Sequence, residues 1–343
     1  MSGVLTGDAA IGVIGAGAWG TALATMLAAD GTPVALWARS PALADEIAST
    51  RINGTYLPGV TLAPTIAVTS DLARLASMPV LLVVCPAQHV GTVLSGLPAS
   101  ERPRDLVLCA KGIEAGSGRL MADVTRAAAP GDRLAVLSGP TFAREVATGL
   151  PTAITLACED GEPQWKRLSA AIARPAFRPY YSDDIVGAEI GGAIKNVLAI
   201  ACGVVEGLGL GENARAALIA RGYAEMARFG VMKGARQDTL SGLSGMGDLV
   251  LTCASRASRN YALGFALGQG MTMAQALAGK ATVAEGSHTA PVLRDLARSS
   301  GVSMPIVEAV CRLLAGEAPA HTVVTDLLAR PLKAEQAGRE RGD

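Results

Sequence analysis

The sequence predicts an α/β domain built on a mostly parallel sheet, followed by an all-helical C-terminal domain. Three observations predict it. Short β-branched runs alternate with Ala/Leu-rich helical stretches up to about residue 185, a glycine-rich turn joins the first such run to the first helical stretch, and after Asp183 the strand pattern gives way to helical periodicity. Alternation of this kind implies βαβ units with strands lying parallel. A chain of 343 residues is also about twice the usual domain size, so two cores are expected.

Taken in order, the strand-like runs fall at residues 11–14, 34–37, 80–85, 106–109, 134–137 and 153–158. The pattern divides the chain into residues 1–188, residues 189–330 and a charged, apolar-poor tail over 331–343 that reads as frayed. No internal repeat is apparent.

Composition narrows the function. Half the residues are apolar, 17% are charged, and 30 basic residues balance 30 acidic ones. That balance favours a compact globular protein, and with no basic cluster or aromatic ladder it argues against nucleic acid as a partner. The three histidines, His89, His288 and His321, lie far apart, so no metal site is expected. The six cysteines form no C-x-x-C pair and several sit in apolar runs, which reads as reduced thiols. The N-terminus lacks a leader pattern, and no run of about 18 to 20 apolar residues suggests membrane insertion. A cytoplasmic protein is expected.

The first informative motif is Gly15-Ala16-Gly17-Ala18-Trp19-Gly20, which follows the strand-like 11–14 and precedes the helix-forming 21–27. Gly15 allows a tight turn, Gly17 lets backbone approach a pyrophosphate, and Gly20 lets helix pack against strand. Free N–H groups at Ala18 and Trp19 and the helix dipole then face the anion. In that context the motif predicts a Rossmann-like, dinucleotide-binding domain; as a bare turn it would be structural only. An NAD-specific site carries an acidic residue at the end of the second strand. Here the run 34–37 is followed by Ala38-Arg39-Ser40, and Arg39 suits a ribose 2′-phosphate, so NAD or NADP is expected, with NADPH plausible.

The second is a lysine in an apolar helix. Between Glu189 and Glu206, Lys195 and Asn196 are the only strongly polar side chains, and apolar residues recur at helical spacing. A lysine in such a helix snorkels to water, pairs with an acid, or loses its proton, because desolvation penalises the ammonium. The last outcome suits a general base. Farther on, a glycine-rich loop at 241–247 brings Asp248 to a helix start. Ser258-Arg259-Asn260 then offers a guanidinium, a hydroxyl and an amide to a phosphate.

These motifs, in order and over nearly the whole chain, resemble the bacterial NAD(P)-dependent glycerol-3-phosphate dehydrogenases. The resemblance rests on residues 15–24 (GAGAWGTALA), 56–59 (YLPG), 110–114 (AKGIE), 137–143 (LSGPTFA), 191–196 (GGAIKN), 213–215 (NAR), 245–253 (GMGDLVLTC), 258–260 (SRN) and 283–286 (VAEG). It implies interconversion of sn-glycerol 3-phosphate and dihydroxyacetone phosphate by hydride transfer, supplying glycerol 3-phosphate for phospholipid synthesis. Lys195 would be the proton acceptor or donor, with Asp248 beside it. Ser258, Arg259 and Asn260 would hold substrate, joined by Lys111, Gly139 and Thr141. Lys111, Ala143, Arg259, Val283 and Glu285 match cofactor-contacting positions, while Asn196 and Thr252 match supporting ones. Ala18 departs from the family's usual serine, leaving the backbone N–H there to meet the phosphate.

Two other readings remain. A β-hydroxyacid or 3-hydroxyacyl-CoA dehydrogenase pairs the same kinds of domain, and a non-catalytic NAD(P)-binding protein would keep the fold without the chemistry. The Ser258-Arg259-Asn260 set argues against the first, and Lys111, Lys195, Asp248 and Arg259 together argue against the second. The apolar content of the helical domain makes a homodimer the expected assembly.

Overall fold

The computed structural model describes residues 11–278 and 284–331. Its first half is one eight-stranded sheet: β1 (Ile11–Ile14), β2 (Val34–Trp37), β3 (Ile66–Thr69), β4 (Val80–Val83), β5 (Asp105–Leu108), β6 (Arg133–Ser138), β7 (Thr152–Cys158) and β8 (Phe177–Ser182). Interleaved with them are α1 (Ala18–Leu27), α2 (Pro41–Thr50), α3 (Val90–Ser95), α4 (Met121–Ala128), α5 (Ala143–Ala147) and α6 (Gly161–Ile172). The spatial order is β3-β2-β1-β4-β5-β6-β7-β8, and every neighbouring pair is parallel except β6 with β7. The chain therefore reverses direction across the sheet between β1 and β4, and the crevice beyond the carboxyl ends of those strands is where open α/β sheets bind ligands.

β1, β2, β4 and β5 are buried along their whole length, and apolar side chains pack on both faces of the sheet in two separate clusters. Two strands, β3 and β8, carry weak sequence signals because both are edges. β8 reads Phe-Arg-Pro-Tyr-Tyr-Ser, with Tyr180 half exposed and Pro179 in a place only an edge tolerates.

After Ser182 the described residues contain helices alone: α7 (Ile185–Gly207), α8 (Gly211–Met232), α9 (Gln237–Ser241), α10 (Asp248–Cys253), α11 (Arg259–Gly268), α12 (Met273–Leu277), α13 (Glu285–Ser299), α14 (Pro305–Leu314) and α15 (Ala320–Leu328). The pattern-based division at 188/189 falls in the first turn of α7. α7 is the axis of this half: α8, α10, α11 and α13 pack around it. By length and composition it would span a membrane, with mean hydropathy 1.5, but that stretch is 94% buried within the protein, as befits a core helix. α11 lies so close that a Cβ at Gly264 would collide with the Ile200 carbonyl, and one at Gly203 with that of Tyr261. Helix backbones in contact leave little room for side-chain adjustment, so α7 and α11 hold their residues in a fixed relation.

Candidate active site

The glycine turn stands at the carboxyl end of β1. Gly15 has φ +119°, a conformation that strains any side chain, and its Cβ would lie 2.9 Å from Cys85 N. At Gly20 a Cβ would collide with the Gly15 carbonyl oxygen. Gly17 differs: its φ is −73°, and a Cβ there would meet nothing within 4 Å among the described residues. It caps α1 without any side-chain hydrogen bond, so the first N–H groups of α1 are left to face an anion in a cradle of backbone. That arrangement fits a dinucleotide pyrophosphate. Trp19 packs against Ala22, Leu57 and Val60, and Ala143 joins the same cluster from α5.

Sequence reasoning missed Asn53. Its side chain is wholly buried, donating to Ala16 O at 2.9 Å and Thr21 Oγ1 at 2.8 Å and accepting from Tyr56 N at 3.1 Å. It holds the Ala16 carbonyl and ties the turn to the 56–59 stretch. Only an asparagine three residues before Tyr56 hinted at this. Arg39 lies exposed just beyond β2, whose chain continues by the Ala38 N–H bond to Thr69 O at 2.9 Å.

A second cluster forms where α7 meets the sheet. Lys195 Nζ stands 2.5 Å from Asp248 Oδ1 and 3.0 Å from Thr252 Oγ1, while Lys111 Nζ stands 2.7 Å from Asp248 Oδ2. Asp248 is completely buried, and the Lys195 side chain is 8% exposed. Asp248 reaches this place because residues Leu243–Gly247 form a single π-helical turn before α10, letting the loop fold over Gly191. Such turns frequently mark functional sites. Two ammonium groups thus share the Asp248 carboxylate. Burial pushes the Lys195 pKa below the ordinary lysine value against the pull of Asp248, and Lys111 pushes it further the same way.

Around this core the predicted residues divide. Gly139 O lies 3.4 Å from Lys111 Nζ, and Thr141 Oγ1 is 3.4 Å from the same oxygen. Asn260 is committed at both ends, donating to Asn196 Oδ1 and accepting from Gly286 N, each at 2.9 Å. The Ser258 hydroxyl caps α11 by accepting from Tyr261 N at 3.3 Å. Arg259 opens α11 and is exposed. Glu285 opens α13, where burial pushes its carboxyl pKa up while Arg259, Lys111 and Lys195 pull it down. Val283 lies outside the described residues. Cys253, beside Thr252, is fully buried with its thiol pKa pushed well up, which makes it an unreactive group.

Residues 10–163 match the NAD-dependent glycerol-3-phosphate dehydrogenase N-terminus, and residues 184–325 match its C-terminus. The chain belongs to this dehydrogenase family. A glycerol-3-phosphate dehydrogenase [NAD(P)+] of Novosphingobium aromaticivorans is 66% identical over 325 residues, covering 95% of this chain and 98% of the relative. The corresponding protein of Caulobacter vibrioides is 54% identical, covering 95% and 98%. The crystal structure of glycerol-3-phosphate dehydrogenase from Coxiella burnetii superimposes with TM-score 0.88 at 38% identity, covering 93% of this chain and 98% of that one. As a member of the family the chain is an NAD(P)-dependent oxidoreductase acting on glycerol 3-phosphate. The dehydrogenase fold is thus the expected one, with β3 and β8 added and β7 reversed.

Proposed function

We propose that Lys195 is the general acid/base of the glycerol 3-phosphate and dihydroxyacetone phosphate interconversion. The observation that carries this is the pairing of two lysines with one buried carboxylate, which leaves Lys195 with a lowered pKa. NAD(P), when bound, supplies the hydride acceptor or donor. Neutral Lys195 takes the C2 hydroxyl proton of glycerol 3-phosphate; in reverse its ammonium gives a proton to the ketone oxygen. Asp248 and Thr252 fix the amine's direction, and Lys111 adds positive charge where the developing alkoxide lies.

The phosphate of the substrate is held by Arg259 together with the first N–H groups of α11, where the helix dipole also attracts it. The Ser258 and Asn260 side chains contribute by shaping that helix start, since their polar atoms are already committed. Gly139 and Thr141 form the opposite wall. Arg39 takes the 2′-phosphate of NADP, and Ala143, Val283 and Glu285 line the cofactor's path. The reductive direction supplies glycerol 3-phosphate for phospholipid synthesis. The working form is a cytoplasmic homodimer, supported by the free, buried cysteines and by the apolar side chains that the helical half leaves exposed, among them Leu210, Val231 and Val250.

Replacing Lys195 with Ala is expected to lower kcat by about 10² to 10⁴ while the NADPH Kd stays within about threefold. In the native protein oxidation climbs with pH as Lys195 loses its proton and reduction falls over the same interval; the variant loses both limbs. Native turnover, or retained limbs, would remove Lys195 from that role.

A further inference from the structure

Glu189 is a buried carboxyl that the proposed chemistry does not use. It projects from α7 six residues before Lys195, is 6% exposed, and accepts a 2.8 Å hydrogen bond from Ala122 N–H in the first turn of α4. α4 begins after Leu120 with no side-chain cap of its own. Glu189 from the helical half therefore supplies the cap for a helix of the sheet half.

What lies just before α4 gives that contact its meaning. The loop that starts at Lys111 closes into a narrow hairpin, with Ile113 bridged to Leu120 and Glu114 N bonded to Arg119 O at 3.0 Å. Gln88 clamps its near side, donating to Ile113 O and accepting from Ala115 N, both at 2.8 Å. Nine residues separate Lys111 from Met121 in sequence, yet across the bridge the two stand only a few residue steps apart. On the other side, α7 carries Lys195 about 9 Å further along its axis from Glu189, at 1.5 Å per residue.

We propose that Glu189 is a positioning residue that sets the spacing of the two lysines: by capping α4 from α7, it pins the Lys111 hairpin to the Lys195 helix. The proposal rests on the lysine reading above. The groups facing Glu189 from α4 are the Met121 and Ala122 amides, Asp123 and Arg126. Burial pushes its carboxyl up to about 8, Asp123 adds to the rise, and Arg126 and the amides oppose it. At neutral pH the group is thus an uncharged acid. Among the described residues its second oxygen, Oε2, is buried without a hydrogen-bond partner, as is Thr125 Oγ1 one turn along α4, which costs a neutral group less than an ion. Glutamine is consequently its nearest mimic.

Loosening the pin lets Lys111 move from the carboxylate it shares with Lys195. Since Lys111 holds the Lys195 pKa down, the pH limb assigned to Lys195 moves upward. The test compares Glu189→Ala, Glu189→Asp and Glu189→Gln, each also in a Lys111→Ala background, reading kcat/KM for dihydroxyacetone phosphate, the kcat pH profile and Tm. Glu189→Ala is expected to lower kcat/KM about tenfold and move the limb up by about half a pH unit or more. Glu189→Asp, one methylene short of Ala122, shifts it the same way by less, and Glu189→Gln stays within about twofold of native. In the Lys111→Ala background the Glu189→Ala loss shrinks below about threefold, because contacts that act through one another are not additive. A fall in Tm with the limb unmoved, or the same loss in both backgrounds, overturns the proposal; so does native behaviour of both Glu189→Asp and Glu189→Gln should Glu189→Ala fail to fold. Undiminished kcat/KM in Lys111→Ala alone removes Lys111 from the lysine reading and takes this proposal down with it, whereas the acid/base role of Lys195 stands or falls with Lys195→Ala.

Discussion

The cradle at Gly17 and the cluster at Asp248 are built on opposite plans. The cradle is local: strand end, turn and helix start lie within residues 11–27, and what it offers is backbone N–H with the side chains out of the way. The cluster is assembled from afar, since Lys111 and Asp248, 2.7 Å apart, are separated by 137 residues. Its chemistry is carried by side chains whose properties exist only because the fold buries them. The backbone cradle proposed for an anion is thus encoded over a short stretch, whereas the proton transfer proposed for Lys195 requires two packed halves.

The widest difference between the two regions should appear when Asp248 is changed to Asn. The shape is kept, but two ammonium groups are left facing each other without the carboxylate they share, and breaking a buried pair of this kind costs about 3 to 5 kcal/mol. The expected results are a fall in kcat/KM of about a hundredfold, a marked drop in Tm, and a pH limb displaced downward because Lys195 gives up its proton more readily. NADPH binding should stay within about twofold. Joint loss of NADPH affinity, measured by fluorescence titration, would show that the two regions are not independent.

Gly17→Ala probes the cradle in the reverse sense. Its backbone is not strained and the added Cβ meets no described atom, so stability should change by less than about 1 kcal/mol. The methyl would occupy the space proposed for the phosphate, so the NADPH Kd should rise at least about tenfold, or about 1.4 kcal/mol. Native affinity with native Tm would mean that the phosphate does not approach at Gly17.

The smallest effect is expected from Arg39→Ala. An exposed guanidinium near a 2′-phosphate is weakened by solvent, so the KM for NADPH should rise about fivefold, with that for NADH within about twofold. Equal changes for both cofactors would remove Arg39 from the 2′-phosphate and leave the cradle as the whole of the charge recognition.

The legibility of each feature follows from how local it is. Central strands such as β1 and β4 announce themselves as apolar runs because both faces are buried, while the edge strands β3 and β8 lack that requirement and read as loop. The reversed β7 was not legible at all: alternation of strand and helix implies parallel pairing, and the short link through α5 returns the chain antiparallel instead. Asn53 and Glu189 were invisible as contributors because a polar residue in sequence carries no sign of which distant amide it will meet.

By itself the sequence determined the α/β pattern, the phosphate turn, the long apolar helix with its one lysine, and the motif series that resembles the dehydrogenases. These depend on spacing and local backbone preference, which act over a few residues. Only the tertiary structure decided whether Lys195 snorkels, pairs or loses its proton. Burial keeps the lysine from snorkelling and lowers its pKa, Asp248 pairs with it and pulls that pKa back up, and the second ammonium of Lys111 adds to the fall. Electrostatic character of that kind belongs to an arrangement of charges in a low-dielectric interior, and no single residue or spacing contains it.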